Sequence, residues 1–212
     1  MALVGISLDA EKGTHQISIT NPRTRHQFNA PFQVQAKHYR LQRLTIRDRN
    51  KVNPDQASSE RIVRELAIQQ PLKTRFTEQD AALDFIRPVS GRDSGRFGLR
   101  RIINGQSRNP HSGMDIAASA GTPVKAAAAG TVLYTGDFFF SGQTVYVDHG
   151  SGIISLYAHL SKIDVKPGEQ LRQGSVLGRV GQTGRATGPH LHWSIYLNGQ
   201  PIDPALFAQK SY

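Results

Sequence analysis

The sequence of 212 residues contains no cysteine. This absence excludes disulfide bonds, thiolate nucleophiles and zinc sites of the cysteine type. Any metal site must therefore use histidine and carboxylate side chains. The absence does not identify the compartment, because exported proteins can also lack cysteine.

Long hydrophobic runs are also missing. The longest uncharged apolar stretches, such as GIISLYAHL at residues 152–160, are as long as a strand, whereas a membrane-spanning helix needs about 20 residues. The first residues, MALVGISLDA, lack the basic segment and the apolar stretch of a signal peptide. We therefore expect no membrane span, and either a cytosolic protein or a mature chain preceded by an added methionine.

Acidic residues are few compared with basic ones: 16 Asp and Glu stand against 26 Lys and Arg, for a formal net charge of +10. Such an excess suits nucleic acid, an anionic membrane surface, a polyanionic matrix such as a cell wall, or simply a solvated basic face. The basic residues are scattered through RTRHQF, YRLQRLTIRDRNK and GRFGLRR without an aromatic stacking platform. We therefore expect no nucleic-acid partner.

The sequence pattern changes near residue 86. Before it, alternation predicts strands over residues 6–20 and 32–46, helical spacing predicts a helix over 54–70 that ends at Pro71, and Thr77 begins a second predicted helix over 77–86. We interpret residues 1–85 as a smaller N-terminal β-rich domain with one or two helices.

Residues 86–212 are predicted to be mainly β, because short β-branched strands alternate with glycine turns. Residues 121–136 and 166–181 are weakly similar to each other, and the pattern indicates an antiparallel sheet or a barrel-like sandwich. Biotinyl and lipoyl carrier domains share this pattern of glycine turns and β-branched strands. In those domains a lysine or histidine at a hairpin tip is modified. Lys125 lies at the start of a predicted strand instead, which disfavours a carrier domain.

Histidines carry the chemical signal of the second part. In a strand, residues i and i+2 point to the same face, so His190 and His192 would stand side by side. They could be a packing accident, a hydrogen-bonded pair or half of a metal site. His111 precedes Asp115 by four positions, and Gly113 between them allows the chain to bend and bring both side chains to one point.

Two further histidines lie between these motifs. His159 stands in LYAHLS, within a predicted strand, whereas His149 stands in VDHGSG and is interpreted as a local turn residue. Two imidazoles and one carboxylate would be enough for a catalytic zinc, which keeps one coordination position open. Each of these motifs alone is a weak signal.

Together and in this order the motifs are similar to those of the lysostaphin/LytM-type zinc metalloendopeptidases, which hydrolyse peptidoglycan. The resemblance covers residues 86–204 and rests on SGRFGLRR, HSGMDIAASAGTPVKAAAAGTV, VYVDHGSGIISLYAHLS, VKPGEQLRQGSVLGRVGQTGRATGPHLHW and NGQPIDP. It implies an antiparallel β-sheet groove.

By this resemblance, His111, Asp115 and His192 match the family's zinc ligands, with one zinc per chain, and His159 and His190 match its two catalytic histidines. The reaction it implies is hydrolysis of peptide cross-links, and sequence does not say which catalytic histidine is the general base. Members that have lost their ligands instead activate cell-wall amidases as non-catalytic binding modules. Because all five positions are present here, the enzyme is favoured.

The resemblance also implies a substrate and a location. We expect peptidoglycan as the partner and a periplasmic or extracellular location with any signal peptide already removed. Some family members cut glycine bridges and others cut the bond from D-alanine to diaminopimelate, and the N-terminal domain favours the second as the scissile bond. Some members have a rim tyrosine upstream of the first ligand, but residues 86–115 contain none. Possible substitutes are Tyr134, Tyr146 and Tyr157.

Residues 1–85 match none of the family's motifs. They could cover the catalytic groove and limit access to it, or they could serve as a spacer or as a wall-binding domain. The second interpretation is favoured.

Overall fold

The computed structural model describes residues 3–21 and 23–208, and it is mainly β, as the sequence predicts. The first part contains strands β1 (Gly13–Thr20), β2 (Gln27–Val34) and β3 (Leu41–Leu44) and helix α1 (Gln56–Lys73). The second part contains β4 (Arg92–Gly95), β5 (Arg100–Ile103), β6 (Gln106–Arg108), β7 (Met114–Ala117), β8 (Pro123–Lys125), β9 (Gly130–Phe138), β10 (Gly142–Asp148), β11 (Ile153–Ile163), β12 (Gln170–Leu171), β13 (Val176–Val180), β14 (His190–Leu197), β15 (Gln200–Ile202) and a 3₁₀ turn (Pro204–Leu206).

Helix α1 begins after Asp55, whose side chain accepts a hydrogen bond from the Ser58 backbone N–H at 2.8 Å. The predicted end at Pro71 was wrong, because the helix continues to Lys73. Proline lacks an N–H group and removes one hydrogen bond inside a helix. In the last turn this loss is small, and the chain closes at Thr74, whose N–H donates to the Gln70 carbonyl.

The second predicted helix, over residues 77–86, was also wrong, because this segment contains no helix in the structure. It runs along the turn between β10 and β11 instead. Ser151 N–H donates to Thr77 O at 3.0 Å, and Ala82 N–H donates to His149 O at 2.9 Å. These long-range hydrogen bonds, with the complete burial of Phe85, override the local helical pattern.

The strands predicted at residues 6–20 and 32–46 are shorter in the structure. β1 and β2 form an antiparallel hairpin, and residues 35–40 separate this hairpin from β3. β3 leaves it because it pairs in parallel with β5, and β5 pairs antiparallel with β6.

The main sheet has ten strands in the order β12-β9-β10-β11-β14-β7-β4, with β13, β8 and β15 attached beside this row. All its pairings are antiparallel, which confirms the predicted sheet type. The two similar segments pair with each other, β8 with β13 and β9 with β12. The two similar segments therefore lie side by side in one sheet.

The hydrophobic core lies in this sheet, with Trp193, Tyr157 and Ile195 completely buried. A smaller cluster joins the two parts of the chain, because Ile46 and Val52 pack with Ile103 of β5. Among the described residues, no helix is long and apolar enough to cross a membrane.

Candidate active site

Strand β14 places the two histidines of the HLH motif on one face of the sheet. Leu191 between them is completely buried on the opposite face, as the two-residue period of a strand requires. The antiparallel register sets His192 opposite Asp115 of β7 and His190 opposite Ala117. Pairing of β7 with β14 therefore brings the Asp115 carboxylate beside the two imidazoles.

His111 lies in the loop before β7, and Gly113 decides how that loop approaches β14. A Cβ atom at residue 113 would stand 2.3 Å from Ser194 Oγ and 2.5 Å from the Trp193 carbonyl oxygen. Only glycine allows the loop to pass so close to β14. The loop does bring the His111 and Asp115 side chains together. Glycine is needed at residue 113 for this close approach and not for a left-handed backbone, since Gly113 has no positive φ.

Three potential ligand atoms converge at this point. His192 Nδ1 lies 2.8 Å from Asp115 Oδ1 and 2.9 Å from His111 Nε2. His111 Nε2 lies 3.0 Å from the same carboxylate oxygen. The three residues are the group among the described side chains whose ligand atoms could hold one metal ion together.

The hydrogen bonds around the cluster favour a cation between these atoms. His111 Nδ1 lies 2.9 Å from Arg96 O, and because a carbonyl only accepts, Nδ1 must donate and Nε2 must carry a lone pair. That lone pair faces the carboxylate oxygen, which is also an acceptor. His192 Nε2 bonds to Ser194 Oγ at 2.8 Å, which leaves Nδ1 available as a ligand. Two nitrogens and one oxygen without sulfur suit zinc.

Sequence reasoning missed Arg101 on β5. Its Nη2 atom lies 2.6 Å from Asp115 Oδ2, the oxygen that faces away from the histidines, and its Nε donates to Gln42 Oε1 of β3. A Cβ atom on Gly95 would lie 2.5 Å from that oxygen, so glycine leaves room for this ion pair. Partners of this kind orient a ligating carboxylate. The segment GRFGLRR contains this arginine, but the spacing of residues in the sequence does not show which of its three arginines reaches Asp115.

His159 lies at an irregularity in β11. The pairing with β10 moves from Gln143↔Leu160 to Val145↔Tyr157, so β11 holds one residue more than β10 there. His159 takes up this extra residue with a φ of +61°, which is uncommon for a side chain with a Cβ atom. At the same point β11 changes its neighbour from β14 to β13. The distortion turns His159 toward the other histidines.

His159 and His190 face each other with ring centroids 4.7 Å apart. His159 Nδ1 donates to Thr183 O and His190 Nδ1 donates to Gly188 O, each at 2.8 Å. Both rings are therefore held in the tautomer that leaves Nε2 free to accept a proton. His190 Nε2 lies 3.8 Å from Asp115 Oδ1, so it stands next to the three converging atoms.

Burial dominates the electrostatics of the cluster. It lowers the pKa of His192 to about 4, against the opposing effect of Asp115. Burial, with repulsion from His190 and His192, lowers the pKa of His159 to about 3. Burial by itself would raise the pKa of Asp115, but the contacts of its carboxylate with the His111 and His192 imidazoles hold this pKa well below its usual range. At neutral pH the rings of His159 and His192 are thus neutral beside an ionised Asp115 carboxylate.

Cavities open on both sides of this cluster. One of about 250 Å³ is lined by Asp115, His159 and His190. Residues from the first part of the chain also line it, namely Gln42, Leu44 and Ile46. A second cavity, on the other side, is lined by His111, His159 and His192 and by residues of α1 such as Leu66.

The other residues singled out from the sequence lie away from these cavities. Tyr146 and Tyr157 are completely buried, and Tyr134 stacks on Phe138. Lys125 is exposed at the end of β8. His149 lies at the turn between β10 and β11. Its ring also forms hydrogen bonds outside this turn, with Ala129 O and with Ser155 Oγ, each at 2.7 Å.

Comparison with known proteins places this chain in a family. Residues 109–204 match the model of peptidase family M23. A crystal structure from Pseudomonas aeruginosa, described as a candidate M23 peptidase, is 42% identical with a TM-score of 0.79, over 96% of this chain and 77% of that one.

Two curated relatives are similar over the second part of the chain. The DD-carboxypeptidase/endopeptidase Mpg of Neisseria meningitidis is 43% identical over 57% of this chain and 28% of its own length. The peptidoglycan DD-endopeptidase ShyA of Vibrio cholerae is 40% identical over 53% of this chain and 26% of its own. The chain thus spans about a quarter of the length of these relatives.

Proposed function

The chain belongs to peptidase family M23, and we propose that it is a zinc-dependent endopeptidase that hydrolyses the peptide cross-links of bacterial peptidoglycan. The observation that carries this proposal is the convergence of His111, Asp115 and His192 next to His159 and His190 at the wall of a cavity. The substrate class is supported by two relatives named as DD-endopeptidases.

The proposed metal ligands are His111 Nε2, Asp115 Oδ1 and His192 Nδ1, which would hold one zinc per chain. When bound, zinc supplies Lewis acidity that polarises the scissile carbonyl and lowers the pKa of water. The protein's own part is to hold these atoms in place. Arg101 fixes the second oxygen of Asp115, and the Arg96 carbonyl and Ser194 hydroxyl fix the two imidazoles.

His159 and His190 are the proposed catalytic residues. With Nδ1 occupied by a backbone carbonyl, each ring takes part in proton transfer through Nε2. A ring that accepts the proton of the attacking water becomes a hydrogen-bond donor at the same atom. It can then stabilise the developing oxyanion or protonate the leaving amine.

We propose the bond between D-alanine and diaminopimelate as the scissile bond, and the periplasm or the extracellular cell wall as the location. The names of the relatives support a cross-link between D-amino acids. A net charge of +10 suits a substrate rich in carboxylates. A non-catalytic binding module would need none of the five site residues, whereas all five are present and oriented.

The experiment is digestion of two kinds of purified sacculi with the zinc-loaded full chain. Release of monomers from sacculi with direct D-alanyl–diaminopimelate cross-links, identified by mass spectrometry, is the expected result. Sacculi with glycine bridges should stay intact. The reverse preference would replace the proposed scissile bond, and no cleavage of either, with zinc bound, would contradict the enzymatic function.

A further inference from the structure

The loop between β13 and β14, residues 181–189, holds both proposed catalytic histidines in place. Near its start the Thr183 carbonyl accepts from His159, and near its end the Gly188 carbonyl accepts from His190. The loop is fixed to the sheet, because Gln143 N–H donates to Thr183 Oγ1 and Thr183 Oγ1 donates to Leu160 O. A side chain in the middle of this loop is therefore held at a set position relative to both imidazoles.

Arg185 is that side chain. Its backbone N–H donates to Phe140 O at 2.7 Å, and its guanidinium lies over the Phe140 ring at 4.3 Å. Arg185 lines the cavity that is also lined by Asp115, His159 and His190, and it lines the cavity on the His111 side as well. It thus borders both cavities of the candidate site.

Arg185 has no anionic partner within residues 3–21 and 23–208. Its one hydrogen bond from the guanidinium is a long contact of 3.5 Å from Nη1 to Lys51 O. The other two arginines nearby are satisfied, since Arg101 pairs with Asp115 and Arg108 donates to Val52 O and Gln106 Oε1. Asp48 and Arg185 both line a third cavity, of about 670 Å³, but they form no ion pair with each other.

The surroundings of Arg185 would accept an anion. Its burial, together with repulsion from Arg101 and Arg108, lowers its pKa to about 10, so it remains protonated at neutral pH. A half-buried cation without a counter-charge is unfavourable. A carboxylate that enters the cavity would relieve this cost and fit the planar donor fork of arginine.

The proposed substrate carries a carboxylate at a suitable position. When diaminopimelate supplies the amine of the cross-link, the carbon next to the scissile nitrogen also carries a free carboxylate, two bonds from that nitrogen. A glycine bridge has only hydrogens on the corresponding carbon. An anion-binding side chain in the cavity of the catalytic histidines would therefore distinguish the two kinds of cross-link.

We propose that Arg185 is a specificity-determining residue that binds the free carboxylate beside the scissile bond. This inference rests on the proposed function, because it takes its substrate from there. Arg185 acts by holding the amine side of the cross-link in register with His159 and His190, and it takes no part in proton transfer.

The test is calorimetric titration of the zinc-loaded full chain with a cross-linked peptide dimer in two forms, with that carboxylate free or converted to its amide. The free acid should bind about 10- to 100-fold more tightly, as a charge-assisted bidentate contact implies. Arg185→Ala should weaken only the free acid, and Arg185→Lys should restore part of the difference. To prevent turnover, the chain with Arg185, the Arg185→Ala variant and the Arg185→Lys variant are all measured with His190→Ala as an additional substitution.

Arg172→Ala is the matched control, because it removes one positive charge from an exposed residue in the turn between β12 and β13. It should leave the acid-to-amide ratio unchanged. Equal affinity of the chain with Arg185 for both forms would overturn the inference without any change at residue 185. So would an Arg185→Ala variant that weakens both forms equally, the result expected for a purely structural residue. Because binding is measured without hydrolysis, failure of the proposed function is seen separately, as a wild-type chain that cleaves no cross-link.

Discussion

Strands β1 and β14 are both eight residues long and both contain histidine, yet they have different consequences. No residue of β1 is buried, whereas six residues of β14 are. Among the described residues β1 pairs only with β2, while β14 has β11 along one edge and β7 and β15 along the other. His15 of β1 bonds to Glu11 O four residues away, but His192 of β14 meets His111 and Asp115 across more than 70 positions.

The difference shows what a strand needs in order to carry a site. Alternation is enough to form a hairpin, but only packing on both faces and pairing on both edges hold a side chain within a few tenths of an ångström. The motifs at residues 111–115 and 188–193 lie in the densely packed sheet. The hairpin β1–β2 lacks such support.

Residues 41–73 belong to the first part of the chain in sequence, but they contact the second part near the candidate site. Lys51 Nζ donates to Phe139 O at 2.6 Å. Glu65 of α1 accepts from the Phe139 backbone N–H at 2.8 Å. The turn between β9 and β10, which supports Arg185 through Phe140, is thus held by the first part of the chain.

The largest expected effects come from histidines and Asp115 in the packed sheet. Asp115→Ala should lose most of the bound zinc and all measurable hydrolysis, because it removes one of the three proposed ligands. His159→Ala and His190→Ala should keep the zinc and lose about 10²- to 10⁴-fold in kcat, the usual contribution of a general acid or base. Elemental analysis and cleavage of a cross-linked dimer measure the two quantities.

His15→Ala in β1 is the control and should change neither quantity. If His190→Ala removes the zinc and His192→Ala retains it, the proposed roles within the HLH motif are reversed.

The next effect concerns stability and His149, which is buried between β11 and the segment before β9. Burial lowers its pKa to about 4 despite the hydrogen bond to Ala129 O and the nearby Asp148. The unfolded chain, with a histidine pKa near 6.5, therefore binds more protons between pH 6.5 and 4. The stabilisation is complete above pH 6.5, and about 3 kcal/mol of it is lost as the pH falls to 4.

Urea unfolding of the zinc-loaded protein at pH 7 and pH 4.5 measures this loss. His149→Gln, which does not titrate, should show a smaller decrease in the free energy of unfolding over that range. An equal decrease in both proteins would show that His149 does not contribute.

The smallest expected effect compares segments of the first part. Deletion of residues 1–36 removes the hairpin β1–β2, which lines none of the cavities described, and should leave hydrolysis of small peptides unchanged. Deletion of residues 1–85 also removes Gln42, Leu44 and Ile46 from the cavity wall. It should raise the hydrolysis rate several-fold if this wall limits access.

The longer deletion exposes Ile103, so circular dichroism and zinc content must first show that it is folded. Leu44→Ala in the full chain trims the same wall without deletion and serves as a second readout. A folded, zinc-containing deletion variant with no gain on small peptides would favour a spacer or wall-binding role for residues 1–85.

Much of the second part was predictable, because local spacing carries its information. HLH at i and i+2 predicted two rings on one face, and glycine-punctuated strands predicted an antiparallel sheet. The failures lie where distant contacts outweigh local preference. Residues 77–86 have a helical pattern, but hydrogen bonds to the turn between β10 and β11 keep them extended.

The sequence by itself determined the chemistry of this protein: no thiolate ligand is available, and histidine and aspartate occur at spacings that one strand pair can bring together. Tertiary structure alone decided which atoms meet. The register of β7 on β14 places Asp115 opposite His192, and the bulge in β11 turns His159 toward His190. The pairing of β3 with β5 closes one wall of the cavity. The physical reason is that residue type and spacing are local properties, whereas register, bulges and close approach depend on neighbours that are distant in the chain.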